Sequence, residues 1–423
     1  MMKSLISQKG FAALFIAILI LAIILAIGLS VAIFTLGQQK IAGNIIKSSQ
    51  AYFTAEAGTE DALLRLAKQK QWSSPYSFEV GDGSVTVEIS DIIGGSRTIT
   101  SKGDVLNRIR NIEVLYIITT EQISFYYGAQ VGDGGMEMGN NARVEGSVFS
   151  NGNVIVSGGG DKGYIDDNVK VATIGSRIEG LVVGEDAYTH NCKDCTIDGT
   201  LYFSGGGSEN CDAGEGIKNH PVQGSRDLPI SQSVIEGWKN DTVSGGVIDG
   251  DYVLDGKITD YLGPQKITGN MLLDNKATLI MTGTIWVVGD LTVRNGATIR
   301  LEPNYYGGIG GVLIVDGKIK IRPGVTLEGS GQEGSYFLLL STNSSLDKAS
   351  PAIDIDNTTQ GAIFYTTNGL IVIRNNVEAR EVTGYQIYLD NNAVIHYETG
   401  LEDAEFSSGP GGSWKVIRWR EIE

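Results

Sequence analysis

The sequence predicts an α+β chain made of one long N-terminal helix, a small antiparallel sheet and a large all-β body wound as a parallel β-helix, or solenoid. A β-sandwich is the alternative for the body. Three observations carry this expectation. Phe11 to Leu36 is free of charge and almost wholly apolar, Tyr76 to Thr120 alternates with the period of a strand, and from about Tyr127 short apolar runs recur between Gly, Asn and Asp corners. The expected division is a leader at 1–10, a transmembrane and assembly helix at 11–72, a small sheet at 73–122 and the body at 123–423, with a short helix near 230–240.

The apolar run holds 26 residues, and a helix of that length spans about 39 Å, more than the ~30 Å hydrocarbon core of a bilayer. It is too long for the apolar core of a secretory signal, which runs to about 15 residues. Lys3 and Lys9 precede it, so the positive-inside rule puts everything after Leu36 across the membrane. Between Gln38 and Gln71, Ile41, Ile45, Tyr52, Ala55, Leu63 and Leu66 recur near helical spacing, so the helix is expected to continue out of the lipid. Ala42, Gly43, Ala51, Ala55, Ala57 and Gly58 keep parts of its surface slim, which favours close helix contacts.

Gln8-Lys9-Gly10-Phe11-Ala12-Ala13-Leu14, the apolar helix, and the stretch from Ala51-Tyr52-Phe53-Thr54 to Ala62 together resemble the N-terminal region of PilX-type minor pilins of type IV pili. The resemblance covers about the first 70 residues. It implies that prepilin peptidase cuts between Gly10 and Phe11 and that the new amino terminus is methylated. Major pilins carry a glutamate five residues into the mature chain, and this chain has Phe15 there. A carboxylate in lipid is costly and is useful there chiefly for pairing. Its replacement points to a tip, initiating or accessory subunit.

In the second segment Ser77–Val80 and Ser84–Ile89 flank Gly81-Asp82-Gly83, a hairpin signal, and Arg97–Ser101 and Arg110–Tyr116 supply two further strands. Four strands lying on the exposed half of the helix would bury one apolar face of each. In the body, Gly283 to Ile299 is answered by Gly311 to Leu327 as one coil by the next, and Ile353–Ile355, Ala362–Tyr365, Leu370–Ile373 and Gln386–Leu389 continue the series. Leu228 to Trp238 reads as a short helix with Ser231 as N-cap and Ile235 and Trp238 on one face. The terminal Ser413 to Trp419 is read with the body.

The chain has 49 acidic against 33 basic residues, a net charge of −16, which disfavours nucleic acid bound through a broad basic face. Candidate chemistry gathers at His190, Cys192, Cys195, Cys211 and His220. Cys192 and Cys195 have the spacing of a zinc pair, and Cys211 with a histidine could complete four ligands. Outside the cytoplasm thiols oxidise, so a disulfide among Cys192, Cys195 and Cys211 with one cysteine left over is preferred to zinc. Asp354 to Thr358 begins like a calcium loop but has Thr359 and Tyr365 where that loop requires Gly and Glu. Asp249, Asp251, Asp255 and Asp260 are numerous enough for a glycan enzyme, yet they alternate with Gly as turn residues do. Tyr305-Tyr306 are candidates for stacking on sugar or for packing, and His396 sits in an alternating strand.

The expected protein is therefore a non-enzymatic, membrane-inserted accessory subunit of a pilus, with no cofactor. Its expected partners are other pilin subunits, prepilin peptidase, membrane lipid and a surface glycan or host ligand. A permanently anchored β-helix adhesin or glycan-active enzyme is the alternative.

Overall fold

The computed structural model describes residues 7–67, 74–90, 96–118, 120–158, 160–356, 362–407 and 414–422. The start of the leader, the helix boundary at 72, Ser413 and the second half of the Asp354 loop lie outside the described residues.

Helix α1 runs unbroken from Ser7 to Ala67, 61 residues. No side chain from Phe11 to Gln50 is buried. Burial starts at Ala51 and then follows Thr54, Ala55, Gly58, Thr59, Ala62 and Leu66, one stripe at helical spacing. This stripe lies on a sheet of strands β1 (Tyr76–Val80), β2 (Gly83–Ile89), β3 (Ser96–Val105) and β4 (Arg108–Ile118), paired antiparallel in sequence order. Val85, Val87, Ile99, Ile112 and Val114 point at the helix and are fully buried. The slim surface expected to serve helix contacts therefore serves the sheet along this stretch. A Cβ on Gly58 would lie 2.3 Å from Ser101 Oγ, and one on Gly103 only 2.2 Å from the Ala51 carbonyl oxygen. The β3–β4 turn places Leu106 and Asn107 both at positive φ, the geometry of a tight hairpin.

A fifth strand, Trp414–Ile422, pairs antiparallel with β4 and sets Trp419 opposite Val114. Its pattern in the sequence groups this segment with the body. It instead closes the first sheet, pairing the backbone edge that β4 would otherwise leave open.

The body is built of parallel pairs. One column of inward residues passes from strand to strand as Ile285, Leu313, Leu339, Phe364, Val382, Ala129, Val148, Val169, Ala187 and Leu201, each in register with the next and each buried. A second column runs through Leu273, Val293, Ile321, Ile355 and Ile373. A third face is carried by a four-stranded and a seven-stranded sheet. Antiparallel pairing of the kind a sandwich requires occurs in the body, among the described residues, only between Glu405–Ser407 and Thr120–Gln122. The repeat read from the sequence is one rung on the next, with Ile285–Val287 on Leu313–Val315 and Leu291–Val293 on Ile319–Ile321.

The stacking order differs from the chain order. Val382 pairs with Ala129, so the chain enters the stack in its middle, builds outward to Ile217–Asn219, and resumes at Val247–Ile248 at the opposite end. Residues 220–246 span the stack as a strap. Gln223 O accepts from Thr173 N (3.1 Å), Arg226 O from Asn151 Nδ2 (2.9 Å), Asp227 O from Gln130 Nε2 (2.9 Å) and Ile230 O from the Tyr365 hydroxyl (2.9 Å). The strap then forms helix α2, Gln232–Ser244, capped by Ser231 and burying Ile235 and Trp238 against Val312, Ile314, Leu338 and Leu340. A corner recurs between the second and third faces, and Asn141, Asp194, Asn210, Asn275, Asn295, Asn376 and Asn392 hold it at φ between 53° and 58°. Asn tolerates this left-handed geometry best among residues with a side chain, which accounts for the asparagine texture of the body.

Candidate functional sites: the assembly helix and the cysteine corner

The N-terminal site is a surface rather than a pocket. Phe11, Leu14, Phe15, Ile18 and Leu21 are each more than half exposed, as are Ile24, Leu25 and Phe34 further along the helix. The segment is long and apolar enough to cross a membrane. Gly10 and Phe11, the two sides of the expected cleavage, fall in the first turns of α1. Phe15 projects from the same uncharged surface, 64% exposed, with no carboxylate near it to pair with a neighbour's amino terminus.

The cysteine corner lies at the far end of the stack. Cys192 faces the core from strand Asn191–Lys193 and is bonded to Cys211, with Cα atoms 6.3 Å apart. In the chain-entropy account, closing a loop of this length contributes about 3 kcal/mol. Cys195 is a free, buried thiol that donates to the Lys193 carbonyl at 3.1 Å. Burial pushes its thiol above the ordinary range. The sulfurs of all three cysteines lie within 4.8 Å of one another.

The histidines do not join this group. His220 Nδ1 contacts the Pro221 carbonyl at 2.7 Å, and its ring stands edge-on to Tyr188 and Tyr202. His190 Nδ1 is buried without a hydrogen-bond partner and is not among the clustered ligand atoms.

The remaining acidic candidates hold the coil. Asp249 accepts from Thr268, Asp251 from the Asn270 amide, Asp255 from Asn275 and Asp260 from the Tyr252 hydroxyl, each within 3.0 Å. Asp354 is clamped by Arg322 at 3.0 Å and Arg374 at 2.8 Å, so its charge is already met by two cations. Tyr306 is fully buried in the core and Tyr305 packs beside it. His396 contacts Glu145 across neighbouring rungs.

One group has no signal in the sequence. Glu381 is completely buried; its Oε1 accepts from Thr383 and its Oε2 has no hydrogen-bond partner. Burial raises its carboxyl well above the ordinary range, and the hydrogen bond from Thr383 opposes that rise only in part. Alternation alone could not mark it, because Glu is ordinarily an outward residue and here the outward face is covered.

Residues 9–60 match the family model described as PilX N-terminal. Among solved structures the chain is similar to the competence-associated pilin ComZ from Thermus thermophilus, with 12% identity, a TM-score of 0.27, and coverage of 89% of this chain and 98% of that one. It is also similar to an ice binding protein from an Antarctic bacterium, Flavobacteriaceae, with 10% identity, a TM-score of 0.15, and coverage of 64% and 81%. No curated protein matches the chain. The N-terminal segment, residues 9–60, with its apolar, unburied stretch, is thus similar to the PilX N-terminal family.

Proposed function

We propose that the protein is a non-enzymatic accessory subunit of a type IV pilus or related filament. The observation that carries this reading is the division of α1 into an unburied apolar half, Phe11 to Leu36, and a half docked on its own sheet from Ala51 to Leu66. Such a helix has one half to give to lipid and then to neighbouring pilin helices. In this reading prepilin peptidase cuts between Gly10 and Phe11, the new amino terminus is methylated, and assembly carries the parallel body outside the membrane. The body then serves as a display module for contact with a surface glycan or host ligand. The missing carboxylate at Phe15 fits a tip, initiating or accessory position.

Gly10→Ala expressed beside prepilin peptidase should accumulate as a longer, slower-migrating form, and identical mobility of variant and wild type would overturn the processing step. Sheared filaments should contain the mature chain. Its confinement to the membrane fraction would favour a permanent anchor instead.

A further inference from the structure

Cys195 and Cys211 hold the same place in consecutive rungs. Each follows a left-handed corner residue, Asp194 (φ 54°) and Asn210 (φ 53°), and the strands they open pair in register, Thr196 on Asp212. The Asp212 amide donates to the Cys195 carbonyl at 3.0 Å. Adjacent strands lie about 4.8 Å apart, inside the Cα range of about 4.4–6.8 Å that a disulfide accepts. Cys211 therefore has two partners within reach, Cys192 across the corner and Cys195 directly above it. With Val182 on Thr196, the next rung sets Leu181 over Cys195, and the corners at Asn141 and Asn392 open on Ala142 and Ala393, all inert, so the stacked cysteines belong to this end of the coil.

We propose that the three cysteines form a thiol–disulfide exchange site in which the bond to Cys211 passes between Cys192 and Cys195. The Cys195 thiol gives its proton to solvent base and the thiolate attacks Cys211 Sγ. The Cys195–Cys211 bond forms, the Cys192–Cys211 bond breaks, and Cys192 departs as a thiolate that takes up a proton. One disulfide and one thiol exist before and after, so no oxidant or reductant is consumed. Either bond ties the last rung, Ser208 to Asn219, to the rung before it. That rung ends the stack: among the described residues Ile217–Asn219 pairs in register only with Leu201–Phe203 and Ser208–Glu209 only with the Asn191–Lys193 strand, and both are exposed. The tie is thus kept while the edge opens and closes, and a small external thiol that attacks Cys211 can be expelled again by a neighbouring cysteine. The step needs local opening and a thiolate, so it is slow at neutral pH and faster as pH rises.

The test uses the full chain in detergent, held for hours at about pH 8.5, within the ordinary thiol range, then acid-quenched, alkylated and digested without reduction. Cleavage after Lys193 separates Cys192 from Cys195, and cleavage after Glu209 separates Cys195 from Cys211. Before incubation the alkyl group should sit on Cys195; afterwards a tenth or more of the chains should carry it on Cys192 with a Cys195–Cys211 bridge, and less at neutral pH. Alkylation confined to Cys195 at every pH and time would overturn the proposal. Cys192→Ser provides a second reading: after air oxidation it should show no free thiol, and two free thiols per chain would count against exchange.

Discussion

Gly103 on β3 lies directly beneath Ala51 of α1, so close that a methyl group at Gly103 would sit 2.2 Å from the Ala51 carbonyl oxygen and 2.6 Å from the Ala55 amide nitrogen. Both obstacles are backbone, and neither can swing aside. The point where the helix leaves its free half and settles on the sheet is therefore fixed by the absence of a side chain.

Gly103→Ala should lift the docked half of the helix and lower stability by about 1–3 kcal/mol, the usual range for overpacking. Urea unfolding of the full chain in detergent, followed by Tyr and Trp fluorescence, would measure it. Gly81→Ala, at an exposed hairpin turn with nothing within 4 Å, should be clearly milder and reflect only its positive φ. Equal losses in the two variants would contradict the close-approach account.

Glu381 predicts an unusual pH dependence. Burial raises its folded carboxyl well above the ordinary range, whereas the unfolded chain ionises near the usual value of about 4.3. Above that value the unfolded state binds fewer protons than the folded one. The site therefore costs stability as pH rises, by at most about 1.4 kcal/mol per pH unit until the folded group itself ionises, and costs nothing in acid. Glu381→Gln cannot ionise, so its stability relative to wild type should grow as pH rises above about 4.3. Parallel pH curves for the two proteins would show that Glu381 reaches solvent or a partner.

The strap gives a third expectation. Trp238 is 4% exposed against Val312, Ile314, Leu338 and Leu340, and the neighbouring Lys239 pairs with Asp316 at 2.8 Å and lies over the Trp286 ring. Trp238→Ala should cost about 3–5 kcal/mol of contact between strap and stack. Limited proteolysis should then cut within residues 220–246 many times faster than in wild type, while the rung cores stay intact.

How far the sequence reveals the fold depends on the range of each signal. The pairing of Ile285 with Leu313 is written as a repeat, because each rung must place an apolar residue over the last. Ser231 is legible as a cap from its neighbours alone, and here its Oγ accepts from the Val234 amide. The junction of Val382 with Ala129 is not legible: both flanks read as ordinary strands, and nothing local says that a strand some 250 residues later stacks on the first rung. The same holds for the cysteines. Their spacing suggested two kinds of site, and only the corner geometry, with Asp194 and Asn210 in successive rungs, shows why Cys211 lies within reach of both others while His190 and His220 stay apart.

The C-terminal strand yields the last expectation. It places Trp419 opposite Val114 and Arg420 opposite Glu113. Glu113 is met by Arg420 at 2.7 Å and Arg418 at 3.3 Å, but both arginines are about half exposed, and exposed ion pairs contribute little. The strand's value lies in its backbone ladder, with Val416 alone of its described side chains packed on the core of the sheet. Ending the chain after Ser407 would leave the β4 edge unpaired and remove the return connection from the body to the helix-bearing sheet. Such a truncation should aggregate or bind foreign strands through β4, whereas Arg418→Ala with Arg420→Ala should change stability by less than about 1 kcal/mol. Size-exclusion profiles and urea midpoints separate these outcomes. A double-arginine variant as damaged as the truncation would move the weight from the ladder to the charges.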